Sequence, residues 1–164
     1  MKKFKTMMAM MLALVSMCVA FSSCSSDDDD NTAGGAKEIV GTYTSTLNVA
    51  VMGQSSPYED KTIKVEAVDD NTVKITLPSF GEGMMTLPEF TVPAVKVSSS
   101  NGGYVLAQTK YTGTAPNAKG EEKQYTVTLE GSFKNNTLSI MFTPVYGDMP
   151  ATIKMIGTFE ATKK

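Results

Sequence analysis

Residues 125 to 142 read Tyr-Thr-Val-Thr-Leu-Glu-Gly-Ser-Phe-Lys-Asn-Asn-Thr-Leu-Ser-Ile-Met-Phe, and this stretch decides the fold class. Apolar residues occupy every second position up to Phe133, two asparagines follow at 135 and 136, and the alternation resumes at Leu138. Side chains on a β-strand point alternately to its two faces, and paired asparagines favour a tight turn. The stretch therefore predicts a β-hairpin with one buried face and one solvated face.

The chain from residue 38 to the C-terminus repeats this pattern, and no helical period is present. The alternation predicts strands over residues 39–51, 63–67, 73–77, 104–112 and 153–160 besides the hairpin. An irregular or edge strand is predicted over 84–97, where Pro88 and Pro93 cannot donate a backbone hydrogen bond. Loops are predicted at 53–60, 78–90 and 113–123. The domain is therefore all-β, with about eight antiparallel strands.

Eight sequential antiparallel strands can close into an up-and-down barrel, whose interior is either filled by side chains or holds one small ligand. A β-sandwich is the alternative, because alternation alone does not distinguish the two folds. On the predicted inner face, glycine precedes an aromatic residue by two positions at Gly41, Gly131 and Gly157. We expect a larger residue at Gly157 to crowd Phe159.

The first 23 residues have the layout of an export signal: Lys2, Lys3 and Lys5 precede an apolar run that ends at Phe21. The apolar run is shorter than the roughly 20 residues that a membrane-spanning helix needs. The small residues Ser22 and Ser23 before Cys24 resemble the lipobox of bacterial lipoproteins. Residues 1–23 are thus predicted to be a lipoprotein signal peptide, with Cys24 as the lipid anchor to the membrane. Cleavage nearby by a soluble secretion peptidase is the alternative.

A polar, acidic segment follows Cys24 and is predicted to be a flexible tether over residues 24–37, with the folded domain over 38–164. Its run of four carboxylates comprises Asp27, Asp28, Asp29 and Asp30. This run resembles the acidic signal that exports lipoproteins of Bacteroidota to the outer face of the outer membrane. The resemblance implies a lipid-anchored protein that faces the cell exterior. If the run is only a spacer, the alternative is the periplasmic leaflet.

Composition removes several classes of function. Without the three lysines of the signal, the chain has 12 basic and 17 acidic residues, a net charge of −5, and it contains no His, Arg or Trp. This composition excludes an electrostatic footprint for nucleic acid. With Cys24 acylated, no cysteine remains for a disulfide or a soft metal site, and we expect no metal and no cofactor. An enzyme is not expected: without His or a free Cys, catalysis would have to use Ser with Lys or paired carboxylates such as Glu82 and Glu89, and these two acids read as solvated loop charges.

Five segments together resemble a known family. They are Val40-Gly-Thr-Tyr-Thr-Ser-Thr-Leu47, Val51-Met-Gly-Gln54, Leu77-Pro-Ser-Phe80, Val92-Pro93 and Val127-Thr-Leu-Glu-Gly131. Over residues 39–161 the chain is similar to the calycin-like β-barrel lipoproteins of gut Bacteroidota, a group related to the lipocalins. The resemblance implies an up-and-down barrel attached to a membrane, and it implies no substrate.

Two functions follow from this interpretation. The first is a cell-surface binding module that holds a small apolar or amphipathic ligand in the barrel. Its candidate lumen-lining residues are large apolar or aromatic side chains: Tyr43, Met52, Met84, Met85, Phe90, Phe133, Met155 and Phe159. The alternative is a surface subunit or adhesin that binds a protein or glycan partner through its loops, with Tyr58, Tyr104 and Tyr111 as stacking surfaces. An empty lumen favours the first function, and a filled lumen favours the second.

Overall fold

The computed structural model describes residues 35–150 and 152–164, apart from the side chain of Met84. A short helix, α1, is followed by eight strands and by one 3-10 turn at Gly83–Met85. The bounds are α1 Gly35–Ile39, β1 Gly41–Val51, β2 Gln54–Asp69, β3 Thr72–Leu77, β4 Phe90–Ser100, β5 Gly103–Pro116, β6 Glu122–Lys134, β7 Thr137–Tyr146 and β8 Met155–Thr162. The predicted all-β class is confirmed.

The eight strands form one closed antiparallel barrel in sequence order, and β8 pairs back onto β1. The predicted up-and-down barrel is therefore confirmed, and the β-sandwich is excluded. The hairpin that decides the fold class is regular, since Tyr125 to Lys134 pairs without a bulge against Thr137 to Tyr146. Asn135 and Asn136 form its turn with positive φ angles of 51° and 60°, a conformation that asparagine tolerates better than most residues.

Inward side chains of every strand merge into one hydrophobic core, and outward side chains are mostly exposed. On β8, for example, burial alternates strictly, with Met155, Gly157 and Phe159 buried and Ile156 and Thr158 exposed. β1 buries Tyr43, Leu47 and Val49 in the same way, so the predicted inner faces of the first and last strands are confirmed. At about 25 cal/mol per Å², burial of such a core supplies the main stabilisation of the described residues, which contain no cysteine.

The two barrel ends are built differently. The hairpins β2–β3, β4–β5 and β6–β7 close one end, which also receives α1; the other four connections, including the longest at 78–89, lie at the opposite end. In α1, Ala36 and Ile39 are completely buried, and the backbone N–H of Ala36 donates to the carbonyl of Asp70 at 3.1 Å. The folded unit therefore begins before residue 38, because residues 35–37, assigned to the tether from sequence, belong to this packed helix.

Three predicted boundaries differ from the structure. Residues 54–60 belong to β2, and 54–58 pair with β1, although their polar sequence predicted a loop. Most of the predicted polar loop at 113–123 is strand as well, so that residues 117–121 alone connect β5 to β6. The predicted irregular strand at 84–97 becomes a loop with a 3-10 turn followed by β4. In the first two places, strand pairing outweighs a local sequence without hydrophobic alternation.

Candidate functional site

Five of the predicted lumen-lining residues lie in the barrel core. Tyr43, Phe90, Phe133, Met155 and Phe159 are all buried. The ring of Tyr43 contacts that of Phe133 edge to face, with centroids 6.4 Å apart, and the Tyr43 hydroxyl donates to the carbonyl of Ile39 at 2.7 Å. Burial raises the pKa of Tyr43 to about 12. These side chains fill the interior and hold α1 against the barrel.

The predicted lumen positions of two methionines are wrong. Met52 is 78% exposed because it lies in the tight β1–β2 turn, where its φ angle is +49°. Met85 is 44% exposed at the end of the 3-10 turn. Neither side chain can line an interior from these turns. The side chain of Met84 lies outside the described part of the structure.

The described interior leaves no room for a ligand. An internal cavity that admits a water-sized sphere would leave accessible surface on its walls. Inward side chains from six strands and from α1 nevertheless have none; the set comprises Ala36, Ile39, Tyr43, Leu47, Ile63, Val73, Ile75, Leu77, Phe90, Val92, Val95, Val127, Leu129 and Leu138. Buried side-chain nitrogen and oxygen atoms among the described residues also all have hydrogen-bond partners. The barrel is therefore a packed core in the part described.

The loop at 78–89 closes the end of the barrel opposite α1. Its Phe80 and Leu87 fold inward as a bridged pair, joined by backbone hydrogen bonds of 3.2 and 2.8 Å, and both are buried. The Phe80 ring packs between Tyr58 and Phe142, at centroid distances of 6.1 and 5.9 Å. Gly81 permits this fold with a φ angle of +95°, since a Cβ there would collide with the backbone of Met85.

One side of the barrel is closed by side chains instead of backbone pairing. β4 and β5 pair only where Val97 to Ser100 meets Gly103 to Leu106. Beyond that point the hydroxyl of Tyr125, from β6, donates to the carbonyl of Thr91 at 2.7 Å and accepts its N–H at 3.3 Å. Burial and the neighbouring Tyr111 raise the pKa of Tyr125 against the lowering effect of the Thr91 hydrogen bond. One hydroxyl thus replaces a strand partner.

Aromatic rings fill the wedge between the separated parts of β4 and β5, which we call the β4–β5 seam. Phe90 contacts Tyr125 at 4.7 Å and Tyr146 at 6.0 Å between centroids, and Tyr111 contacts Tyr125 at 6.1 Å. The Tyr146 hydroxyl donates to the carbonyl of Ala115 at 3.3 Å. Tyr111 was predicted as an exposed stacking surface, and it is instead partly buried, as are Tyr58 and Tyr104.

A concavity lies on the outside of the barrel. A groove of about 640 Å³ crosses the outer face of β5, β6, β7, β8 and β1, and we call it the outer-face groove. Its lining includes the outward residues Asn48, Val105, Gln108, Glu130, Ser132, Ser139, Met141, Thr158 and Glu160.

Two carboxylates give the outer-face groove its charge. Glu130 accepts a hydrogen bond from Nε2 of Gln108 at 3.2 Å, and Glu160 accepts one from the Ser139 hydroxyl at 3.4 Å. The groove lining contains no lysine, and neither carboxylate belongs to an ion pair found among the described residues. The groove is therefore an acidic surface with neutral hydrogen-bonding neighbours.

Sequence reasoning missed the outer-face groove, although a signal for it exists. Met141 and Val145 on β7 and Ile156 on β8 are apolar at outward positions, whereas the remaining outward residues of these strands are polar, and this breaks the alternation. A group of apolar residues on a solvated face is a sign of a contact surface. The two acids considered for catalysis, Glu82 and Glu89, are exposed on the 78–89 loop. In the described ranges no cluster of potential metal ligands occurs, and no helix there is long and apolar enough to span a membrane.

The predicted lipid anchor Cys24 and the run Asp27 to Asp30 lie outside the described residues.

Comparisons with known proteins relate the chain to a family. The model of a family described as "Calycin-like beta-barrel domain" matches residues 39–160. The chain is also similar to the crystal structure of a "putative outer membrane protein" from Bacteroides fragilis NCTC 9343, with 26% sequence identity and a TM-score of 0.63. The match covers 80% of this chain and 53% of that one, so this chain spans about half its length. A search of curated proteins found no match.

Proposed function

Because this chain belongs to the family of calycin-like β-barrel domains, we propose that it is a lipid-anchored binding module of the outer membrane that binds a macromolecular partner with its exterior. The packed interior carries the proposal: residues from six strands have no accessible surface, and both barrel ends are closed by buried residues. A surface subunit needs no lumen, whereas a lipocalin-like carrier requires a cavity that surrounds most of its ligand. We expect no catalytic activity.

Location at the outer membrane is supported by the similarity to the Bacteroides fragilis protein and by the sequence of the first 30 residues. The lipid on Cys24 would hold the domain on the membrane, and Asp27 to Asp30 would direct it to the cell exterior. Replacing Cys24→Ala should abolish palmitate labelling and release the protein in soluble form. Deleting the four aspartates should protect the chain from protease added to whole cells, and unchanged cleavage would mean that they are only a spacer.

The predicted capture of a small apolar ligand competes with this proposal. Such a ligand would have to displace Phe80 and Leu87, two buried side chains that close one end of the barrel. The two functions can be separated by titrating the purified full chain with palmitate and with an apolar fluorescent dye, while its thermal unfolding is followed. We expect no saturable binding and no rise in the melting temperature. Saturable binding with a higher melting temperature would contradict the proposed surface binding and support capture of a ligand in the barrel.

A further inference from the structure

We propose that the outer-face groove docks an extended segment of a partner protein that presents two basic side chains on either side of an apolar one. The inference rests on the proposed function, because it specifies which part of the exterior binds and what chemistry it recognises. Three features of the described structure support it: the position of the exposed apolar side chains, the charge of the groove and the spacing of its carboxylates.

Exposed apolar side chains concentrate on this side of the barrel. Among the described residues, seven large hydrophobic side chains are exposed, and five of them belong to β5, β7, β8 or the turn after β1: Met52, Val105, Met141, Val145 and Ile156. Met141 pairs with Thr158, which pairs with Asn48, and the next row places Ile156 beside Ala50. Val105 and Met141 thus line the groove itself, and Ile156 lies in the row of residues beside it. Their grouping on one face distinguishes them from scattered surface residues, which need no explanation.

The charge of the groove selects the partner. Within the described part of the chain, Glu130 and Glu160 are hydrogen-bonded only to neutral groups, and no lysine lines the groove. A partner with carboxylates would be repelled here, whereas lysine or arginine would find a complementary charge. The other described acids include several with cationic partners, such as Glu66 with Lys74 at 2.8 Å. The groove therefore offers negative charge that the barrel itself does not neutralise.

The spacing of the carboxylates fits an extended chain. Glu130 pairs with Met141 on β7, and Glu160 pairs with Ser139, two residues away on the same strand. Glu130 and Glu160 are two strands apart across the sheet and two residues apart along it, so their backbones lie about 12 Å apart. Residues i and i+4 of an extended segment lie on one face about 13 Å apart, and residue i+2 lies between them. Basic residues at i and i+4 would face the carboxylates, and an apolar residue at i+2 would lie between Met141 and Ser139.

The same groove is poorly suited to a glycan. Binding a sugar ring generally uses an exposed aromatic face, and the one aromatic residue of the lining, Phe159, is buried with its ring in the core. Amide and hydroxyl groups of Asn48, Gln108 and Thr158 can donate and accept hydrogen bonds to the backbone of an extended peptide. We therefore assign the groove to a protein segment.

The test uses a labelled peptide, acetyl-Gly-Ser-Lys-Thr-Leu-Thr-Lys-Ser-Gly-amide, and the full chain in detergent, with binding followed by fluorescence polarisation. Reversing both groove carboxylates, Glu130→Lys with Glu160→Lys, should weaken binding about tenfold or more, since each attraction becomes a repulsion. The control, Glu59→Lys with Glu89→Lys, changes the net charge equally at exposed sites outside the groove lining and should leave binding unchanged. High salt should weaken binding to the unaltered chain.

A second pair of variants tests the apolar contact. Met141 and Met85 are exposed to almost the same extent, 43% and 44%, and only Met141 lines the groove. Met141→Gln should weaken peptide binding about threefold, through loss of apolar contact area, while Met85→Gln should not. A peptide with glutamate in place of both lysines should not bind.

No binding of the lysine peptide up to millimolar concentration, or equal losses in the groove variants and their controls, would overturn the groove assignment. Binding lost only in Met85→Gln would move the site to the 78–89 loop and leave surface binding intact. Binding of a maltooligosaccharide mixture that depends on Glu130 and Glu160 would overturn the choice of a protein partner. Failure of the proposed function would appear separately, as saturable palmitate binding.

Discussion

The regular side of the barrel, from β5 to β8, and the β4–β5 seam are closed by different means. On the regular side, β5 and β6 pair from Gly103 to Pro116 with one irregularity, and β6 and β7 pair without any. At the seam, backbone pairing ends after four residue pairs, and Tyr125 with three other rings occupies the wedge. The regular side depends on small residues that let strands approach closely, and the seam depends on large residues that hold separated strands together.

Each means of closure also matches the local sequence. Pro93 lies in β4 beside the seam, where a residue without an N–H costs no ladder hydrogen bond. Gly131 and Gly157 lie on the regular side, where added side chains would meet the Ser139 carbonyl and the Phe142 ring, respectively. The comparison teaches that backbone pairing need not be continuous for a barrel to close, provided that buried side chains take over the hydrogen bonds and the volume.

The largest effect should come from removing the central ring of the seam. Phe90→Ala deletes a fully buried ring that contacts both Tyr125 and Tyr146, and it should lower the free energy of unfolding by about 4 kcal/mol. Hydrogen exchange should also accelerate selectively in residues 107–116 of β5, because the wedge there loses its filling. Uniform acceleration over the whole barrel would show that the seam is not a separate unit.

On the regular side, a somewhat smaller loss is expected from Gly157→Val, about 3 kcal/mol in thermal or urea unfolding. The structure corrects the expected clash: a Cβ at Gly157 would meet the ring of Phe142 on β7, and not that of Phe159. Gly157→Val combined with Phe142→Leu should therefore recover part of the loss. Gly41→Ala is the control, since its nearest neighbour is the flexible Lys163 side chain at 3.4 Å. Equal stability of Gly157→Val and the unaltered chain would contradict the close packing.

Removing one oxygen from the seam tests whether a hydroxyl replaces a strand partner. Tyr125→Phe should cost about 1 to 2 kcal/mol, because the N–H and carbonyl of Thr91 both lose their hydrogen bond to it. Tyr111→Phe changes a neighbouring, partly buried tyrosine for which no side-chain hydrogen bond is found, and it should cost less than about 0.5 kcal/mol. A negligible cost at Tyr125 would mean that water satisfies Thr91 equally well.

The smallest effect concerns Tyr43, which lies at the closed end of the barrel near α1. It is expected only in alkali and is absent at neutral pH. The folded-state pKa of Tyr43 is raised to about 12 from an ordinary value of 10.0, so the folded protein keeps the proton longer than the unfolded chain. The resulting stability is fully present below pH 10 and is lost as the pH rises from 10 to 12. Unfolding measured across this range should show a weaker pH dependence in Tyr43→Phe. An unchanged slope would mean that Tyr43 ionises normally in the fold.

Strand identity was predictable to different degrees along the chain. From Tyr125 to Phe142 the alternation and the Asn135-Asn136 turn predicted the hairpin correctly, because both signals are local. Residues 54–60 and 113–116 have no hydrophobic alternation, yet they are strand, because β1 and β6 supply hydrogen-bond partners. The burial of α1 was not predictable either, since its short sequence has little helical preference without the barrel end.

The candidate site was less predictable than the fold. Alternation correctly assigned Tyr43, Phe90, Phe133, Met155 and Phe159 to the interior, but it could not show that they pack without a cavity. The exposed positions of Met52 and Met85 depend on turns whose geometry the sequence leaves open. The outer-face groove requires Glu130, Met141 and Glu160 to come together from three strands, which the registers of the β6–β7 and β7–β8 pairs determine.

The sequence by itself determined the all-β class, the order of the strands and the inward face of most of them, because alternation and turn residues act within a few residues of chain. Tertiary structure alone decided how far each pair of strands stays hydrogen-bonded, where Tyr125 must replace a backbone partner, and that the interior is full while a groove lies outside. These features arise from the closure of eight strands around one volume. Closure couples residues far apart in the chain, such as Asn48 and Thr158, and no local pattern contains that coupling.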